Sequence, residues 1–288
     1  MDAQTRNETT PRTEECDVCI VGAGFAGINA LFVASRYLSP TQRIILVDRR
    51  ARVGGMWVDT YPYVRLHQPH PMFTAGDIEW TLGREPGYLA TKDEVLAHFA
   101  HCVDVIRRRV RVDEFYGWSM DSHEKVGAGQ RITCRSADGD ELTITARYLI
   151  KANGLEVTPN DPLPLSSTQV RSVSPDLCDI DGGVFADTAP VWLVGGGKTA
   201  MDTAHALIRR APGREVNLVA GDGTFFLSRD RLLPAGHRRW WSGIPVSSVA
   251  YRTSRRFDGT NEREVFDWFR TTFGTWLTPG TENFLLGV

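Results

Sequence analysis

An α/β fold with two separate starting points for a parallel sheet is what this sequence predicts, and three stretches predict it. The first is Val18-Cys19-Ile20-Val21, which runs into Gly22-x-Gly24-x-x-Gly27 and then into helical sequence from Ile28 to Tyr37. A buried strand, a tight glycine turn and a helix N-terminus make a cradle for a pyrophosphate. Gly22 permits the turn, Gly24 lets backbone approach phosphate, and Gly27 lets the helix pack on the strand. The second is the apolar run Ile44 to Val47, which ends in Asp48, about 20 residues past Gly27. An acidic side chain at that strand end is placed to accept from a ribose 2′-hydroxyl. The third repeats the grammar: Val191 to Val194, Gly195-x-Gly197-x-x-Ala200, a helical Met201 to Arg210, and a strand from Glu215 to Ala220. Two such units in one chain are far more specific than either alone. They predict two Rossmann-like dinucleotide-binding domains, as expected where one nucleotide hands electrons to another.

Size and charge agree with that. A chain of 288 residues has room for two domains, and 42% hydrophobic with 24% charged residues is an ordinary globular composition. A formal charge of −2 gives no basic field for nucleic acid or an anionic membrane, and no apolar run approaches a membrane span. Met1 to Glu15 is polar, has no apolar signal core, and is expected to be a disordered tail. The first domain is then expected over 16–160 and the second over 161–288. Five cysteines without a framework suit a reducing cytoplasm. Cys16-x-x-Cys19 has redox spacing, but a redox pair sits at a helix N-terminus. Cys19 lies inside the first strand and Cys16 just before it, so strand packing is expected.

In chain order, Ser39-Pro40 stops the first helix, and Arg43 to Asp48 is the second strand. A basic loop from Arg49 closes on Gly54-Gly55, followed by Met56-Trp57. Tyr61 to Phe73, with Gln68-Pro69-His70-Pro71 inside it, is too rich in proline for a regular helix. Such aromatic loops often line a ligand pocket. His67 and His70 lack a third metal ligand. Thr91-Lys92-Asp93-Glu94 is a capping box opening a helix to about Arg109, with His98 and His101 on an ordinary helix face. Val110 to Trp118, Arg131 to Arg135 and Leu142 to Ala146 read as short strands, the last two joined at Asp138-Gly139-Asp140. Tyr148 to Ile150 leads through Lys151-Ala152-Asn153 to a glycine turn at Gly154, and Pro159 to Pro164 reads as a linker.

Taken in order, Gly22-x-Gly24-x-x-Gly27, Asp48, Gly54-Gly55-x-Trp57, Lys92-x-Glu94, Ala152-x-Gly154 and Gly195-x-Gly197-x-x-Ala200 resemble the flavin-dependent monooxygenases with two dinucleotide-binding domains. These include flavin-containing, Baeyer–Villiger and N-hydroxylating enzymes, and the resemblance runs from residue 16 to about 235. It implies FAD in the first site. Gly22, Gly24 and Gly27, with Phe25 and Ala26 between them, would hold the pyrophosphate, and Asp48 with Arg49 the ribose side. Gly54, Gly55, Met56 and Trp57 would lie along the flavin, with Gly154 closing the turn nearby. Arg65, His67 and Gln68 fall where relatives carry flavin-proximal polar residues. For Trp57, core packing is the competing reading.

The resemblance implies NADP or NAD in the second site, on Gly195, Gly197 and Ala200, with Lys198 and Thr199 within reach of phosphate. Arg229 and Arg231 either serve a 2′-phosphate or are surface arginines. Trp240 and Trp241 either close the substrate side or pack at a core edge. No dithiol follows Gly54-Gly55 or lies in Val191 to Ala220, which argues against disulfide reduction. Arg171-Ser172-Val173-Ser174-Pro175 occupies the place of the Baeyer–Villiger signature without its histidine. Relatives run longer and return to close the FAD domain, so that domain is expected to be incomplete here, as in a fragment or short form.

The activity implied is hydride transfer from NAD(P)H to FAD. Molecular oxygen is then activated as a flavin C4a-(hydro)peroxide that oxygenates a small organic substrate. An NAD(P)H–flavin reductase without oxygenation and a non-catalytic nucleotide-binding remnant are the alternatives. No side chain is assigned as catalytic.

Overall fold

The apolar run Val18 to Val21 is the inner end of strand β1 (Arg12–Val21), in a computed structural model that describes residues 12–154, 159–175, 183–221 and 251–273. The chain divides into two units. Within the described residues one takes in 12–60, 71–83 and 90–175, and the other takes in 61–70, 84–89 and everything from 183 onward.

In the first unit, β1 leads through the glycine turn to α1 (Phe25–Ser35) and then to β2 (Arg43–Asp48). α1 buries Gly27, Ile28, Leu31, Phe32 and Ser35, the spacing of one helix face. After an irregular stretch comes α2 (Lys92–Arg107), with Thr91 as N-cap. The Thr91 hydroxyl accepts from Glu94 N–H at 3.3 Å, and the Glu94 carboxylate accepts from Thr91 N–H at 2.8 Å. The predicted capping box therefore forms. Four strands follow: β3 (Arg111–Tyr116), β4 (Trp118–Val126), β5 (Gly129–Ser136) and β6 (Glu141–Lys151).

These strands make one six-stranded sheet in the order β3-β2-β1-β6-β5-β4. β3, β2, β1 and β6 run parallel, while β5 and β4 fold back antiparallel. Val18 pairs with Ile44 on one side and Tyr148 on the other. Cys19, Val21, Ile45, Val47, Phe115, Ile132, Cys134, Leu142 and Ile144 form a buried cluster. Val18, Ile20, Ile44 and Leu46 alternate with them, so they face the opposite side of the sheet. The chain leaves β1 toward β2 and β3 and returns to β1's other edge as β6. The strand order therefore switches direction at β1, and the carboxyl ends of β1 and β6 lie side by side.

Three expectations need correction. Arg12 to Glu15, expected in a disordered tail, form the outer half of β1 and pair with Leu142 to Thr145. β6 is long enough to supply backbone partners there, and Arg43 fixes this end of the strand through Glu14 at 2.7 Å and the Glu15 carbonyl at 2.7 Å. β6 is one continuous strand, not two. β4 was not anticipated beyond its first residue, because Met120 and Val126 are the only apolar residues in Ser119 to Val126. It is an edge strand held by its ladder to β5, with a register shift between Met120 and Ser122.

In the second unit, β7 (Val191–Val194) and β8 (Val216–Val219) pair parallel on either side of α3 (Lys198–Arg210) in sequence. This is the predicted second strand–turn–helix–strand unit. A further helix, α4 (Glu262–Phe273), lies beyond it in the chain. The aromatic segment at the start of 61–70 belongs here, because Tyr61 and Tyr63 dock on α3.

Candidate functional site

The first glycine turn is built from backbone alone. Gly22 has a φ of +106°, which disfavours side chains, and its N–H donates to the Val47 carbonyl at 2.7 Å, so the turn is fastened to the end of β2. A Cβ at Gly22 would collide with the Ala152 carbonyl, and one at Gly27 would overlap the Gly22 carbonyl. Ala152 N–H in turn donates to the Val21 carbonyl at 2.7 Å. The ends of β1 and β6 and the first turn of α1 therefore meet without intervening side chains. A Cβ at Gly55 would sit 2.6 Å from the Gly24 Cα, and Gly54 N–H donates to the Ala23 carbonyl at 2.9 Å, so Gly54-Gly55 forms another wall of the same cradle.

Gly24 caps α1 with no side-chain hydrogen bond, and the first turn of α1 holds no acidic residue. Its N–H groups are left for an anion, and the helix dipole favours negative charge there. The residues present therefore fit a pyrophosphate.

Asp48 sits at the end of β2, 5% exposed. One carboxylate oxygen accepts from Ala23 N–H at 2.6 Å and the other from Arg50 N–H at 2.8 Å. It thus pins the middle of the glycine turn. A carboxylate offers about four acceptor positions, so these two bonds leave capacity for a further hydroxyl donor.

Two other predicted residues of this unit meet Phe73. Phe25 stacks on Phe73 at 4.4 Å, and Trp57 meets Phe73 at 5.7 Å, so the packing reading of Trp57 holds in part. Met56, Ala26 and Arg49 are exposed. Gly154 lies three residues beyond the end of β6 at a φ of +65°. His98 is a core histidine, stacked on Trp80 at 3.9 Å with Nε2 2.8 Å from the Thr74 hydroxyl.

Arg65, His67 and Gln68 fall in the second unit. Arg65 donates to the Leu89 carbonyl at 3.0 Å, and His67 is exposed. Gln68 is half-buried, and its Oε1 has no hydrogen-bond partner among the described residues. A buried acceptor left so is costly, and a ligand N–H or O–H would satisfy it.

The second turn has the geometry of the first. Gly195 has a φ of +134°, and its N–H donates to the Val219 carbonyl at 2.7 Å, as Gly22 does to Val47. Gly197 caps α3 with no side-chain bond and no acidic residue in the first turn. Ala200 is tolerated in the third small position because its Cβ lies 4.0 Å from where a Gly195 Cβ would stand, a looser junction than at Gly27. Lys198 is drawn along the helix to Asp202. Thr199 accepts at its carbonyl from the Thr203 hydroxyl at 2.7 Å. Arg229, Arg231, Trp240 and Trp241 lie outside the described residues.

Sequence reasoning missed Asp202, Tyr61 and Tyr63. The spacing of Lys198 and Asp202, four apart on a helix, was a usable signal. Nothing in the sequence pairs Tyr61 with a residue so far along the chain.

Dithiol chemistry finds no support in Cys16 and Cys19. Burial pushes the Cys16 thiol up to about 12 and the Cys19 thiol up as well. Among the described residues no cluster of His, Cys, Asp and Glu suits a metal ion, and no helix is long and apolar enough to cross a membrane.

Comparisons with known proteins agree with this architecture. An uncharacterized protein of Mycobacterium tuberculosis is 30% identical over 213 residues, which is 69% of this chain and 37% of that protein. An FAD-dependent monooxygenase of Pyrenophora dematioidea is 25% identical over 280 residues, covering 79% of this chain and 48% of its own length. The chain thus spans less than half the length of these curated relatives.

Among solved structures, a flavin monooxygenase from Stenotrophomonas maltophilia superposes with a TM-score of 0.54 at 20% identity, over 74% of this chain and 60% of that one. A steroid monooxygenase bound to NADP gives 0.53 at 22% identity, over 74% and 40%. At these identities the likeness is one of fold, the Rossmann-like FAD/NAD(P)-binding fold that the sequence predicted. The profile of one family, described as pyridine nucleotide-disulphide oxidoreductase, matches residues 16–233, from the first strand past the second glycine turn. With both turns inside that match, the chain belongs to the pyridine nucleotide-disulphide oxidoreductase family.

Proposed function

We propose that this chain works as an FAD-dependent NAD(P)H oxidoreductase that uses molecular oxygen to oxygenate a small organic substrate. The observation that carries this is the doubled turn. Gly22 to Val47 and Gly195 to Val219 are the same hydrogen bond in two strand–turn–helix units of one chain, each at 2.7 Å. Two dinucleotide cradles suit a pair of nucleotides that exchange electrons. The names of relatives, among them an FAD-containing monooxygenase of Mycolicibacterium smegmatis 42% identical over 65 residues, 22% of this chain and 13% of that protein, support flavin and oxygen as the reactants.

In this reading Gly22, Gly24, Gly27, Gly54 and Gly55 receive the FAD pyrophosphate on backbone, and Asp48 accepts from its ribose while holding Ala23 in place. Gly195, Gly197 and Ala200 receive the pyrophosphate of NADPH or NADH. Gln68 offers its orphan oxygen to a ligand N–H or O–H. Bound flavin supplies the redox and oxygen chemistry. The chain's share is to bind, orient and exclude water, so no general acid or base is required of it.

The test is spectroscopic. The purified full chain is titrated with FAD, then with NADPH or NADH under anaerobic conditions, and oxygen is admitted with a panel of ketones, sulfides and amines. Bleaching of bound flavin followed by an oxygenated product supports the proposal. Bleaching followed by stoichiometric hydrogen peroxide, with every candidate substrate intact, points instead to a reductase. Absence of any flavin binding overturns both.

A further inference from the structure

Lys198 opens α3 at its first helical position, where the helix dipole disfavours a cation. Its ammonium pairs with Asp202 one turn along, and a lysine placed before its acid is the weaker order for such a pair. The pair is therefore worth less to the helix than the reverse order would be. Asp202 is also held from a distant part of the chain, where the Tyr61 phenol donates to the same carboxylate oxygen at 2.9 Å. Tyr61 is buried, and burial pushes its phenol upward against a hydrogen bond with Thr199, with the Asp202 charge adding to the rise, so it remains a donor. Beside it, the Tyr63 hydroxyl lies 2.8 Å from Thr203 Oγ1. The Thr203 hydrogen is committed to the Thr199 carbonyl, so Tyr63 donates here. Phe185 meets the Tyr63 ring edge-on at 5.9 Å. One side of α3 is thus clamped by two phenols, and one of them, Tyr61, holds the partner of Lys198.

We propose that Asp202 is a positioning residue that holds Lys198 back from the second glycine turn, and that Tyr61 moderates that hold, together setting how tightly the pyrophosphate of a nicotinamide nucleotide binds. The proposal rests on the reading of the second turn as a nucleotide site. An arriving pyrophosphate competes with Asp202 for the ammonium, in front of a helix N-terminus free of acidic residues. When Lys198 leaves, the Tyr61 hydrogen bond offsets part of the charge that remains on Asp202. NADH and NADPH share the pyrophosphate, so both feel the effect equally. It governs affinity and not the choice between them.

The full chain is titrated with NADPH, NADH and ADP while tryptophan fluorescence or heat is recorded, for the wild type, Asp202→Asn, Tyr61→Phe, Lys198→Met and the Lys198→Met/Asp202→Asn and Lys198→Met/Tyr61→Phe double variants. Asp202→Asn is expected to tighten all three ligands by about two- to five-fold, the scale of a partly exposed ion pair. Tyr61→Phe is expected to weaken them by about two-fold. Lys198→Met should erase both effects. A merely structural Asp202 would give no gain in affinity and no opposite sign for Tyr61. If Asp202→Asn binds no tighter while its circular dichroism matches the wild type, the proposal is overturned. Should that variant not fold, Tyr61→Phe decides: weakening that vanishes in the Lys198→Met background supports the proposal, and any other result overturns it. A wild-type chain that binds none of the three ligands overturns the nucleotide-site reading and this proposal with it. A wild type that binds, with unmoved variants, overturns this proposal alone.

Discussion

Asp48 does two jobs with one carboxylate. The 2.6 Å bond to Ala23 N–H holds the glycine turn, and the 2.8 Å bond to Arg50 N–H holds the loop after β2. Asp48→Ala should therefore destabilise the ligand-free chain by about 1–3 kcal/mol, the cost of leaving buried donors unpaired, as well as weaken FAD retention. Urea denaturation of the ligand-free protein separates the two effects, and unchanged stability there would confine Asp48 to ligand contact. The two third-position small residues give a second contrast. Gly27→Ala should abolish flavin retention, because the added methyl overlaps the Gly22 carbonyl, whereas Ala200→Gly should leave nucleotide affinity within about two-fold. The places of the glycines and Asp48 in the turn were legible in the sequence because they follow from spacing along one strand–turn–helix unit. The Tyr61–Asp202 bond was not, since no local pattern signals a partner from another part of the chain.

At the scale of elements, helices with end signals were the clearest. α2 begins where Thr91 and Glu94 say it does, and Thr91→Ala should lower stability by about 1 kcal/mol, read from the denaturation midpoint at unchanged slope. Strands were legible where one face is apolar and not otherwise, which is why β2 matched residue for residue and β4 was missed. The outer half of β1 escaped for a related reason: its anchors are charged groups. Arg43 hydrogen-bonds Glu14 and holds its carboxyl below the usual range. The Arg43 N–H and the Gln42 side chain do the same for Asp17. Groups with lowered values stabilise the fold above about pH 4.5, and that contribution disappears as pH falls through those lowered values. The thermal midpoint should thus drop on acidification below about pH 4.5. Arg43→Met should be less stable at pH 7 and show a shallower drop, and parallel curves for the two proteins would refute the role given to Arg43.

For the whole molecule, two strand–turn–helix units were legible from two glycine motifs, but the grouping of the segments between them was not. Residues 61–70 and 84–89 are contiguous in sequence with the first unit and group with the second. Composition cannot reveal that, because aromatic side chains serve as readily for packing on a helix as for lining a pocket. The chain's cysteine chemistry scales up in the same way. Burial raises the thiols of Cys16, Cys19, Cys102 and Cys134, the first and last to about 12. In the native protein these four should react with a thiol reagent at pH 8 far more slowly than in urea, and rapid modification of Cys16 or Cys19 would reopen the dithiol reading.

The junction of Gly22, Gly27 and Ala152 also bears on how this chain tolerates mutation. Apolar positions such as Ile20 or Leu46 can exchange for neighbours of similar volume at modest cost. At Gly22 and Gly27 the requirement is for the absence of atoms, and no substitution supplies that. A saturation scan should find its least forgiving spot there and not in the hydrophobic interior, at a place where the molecule is defined by room kept clear.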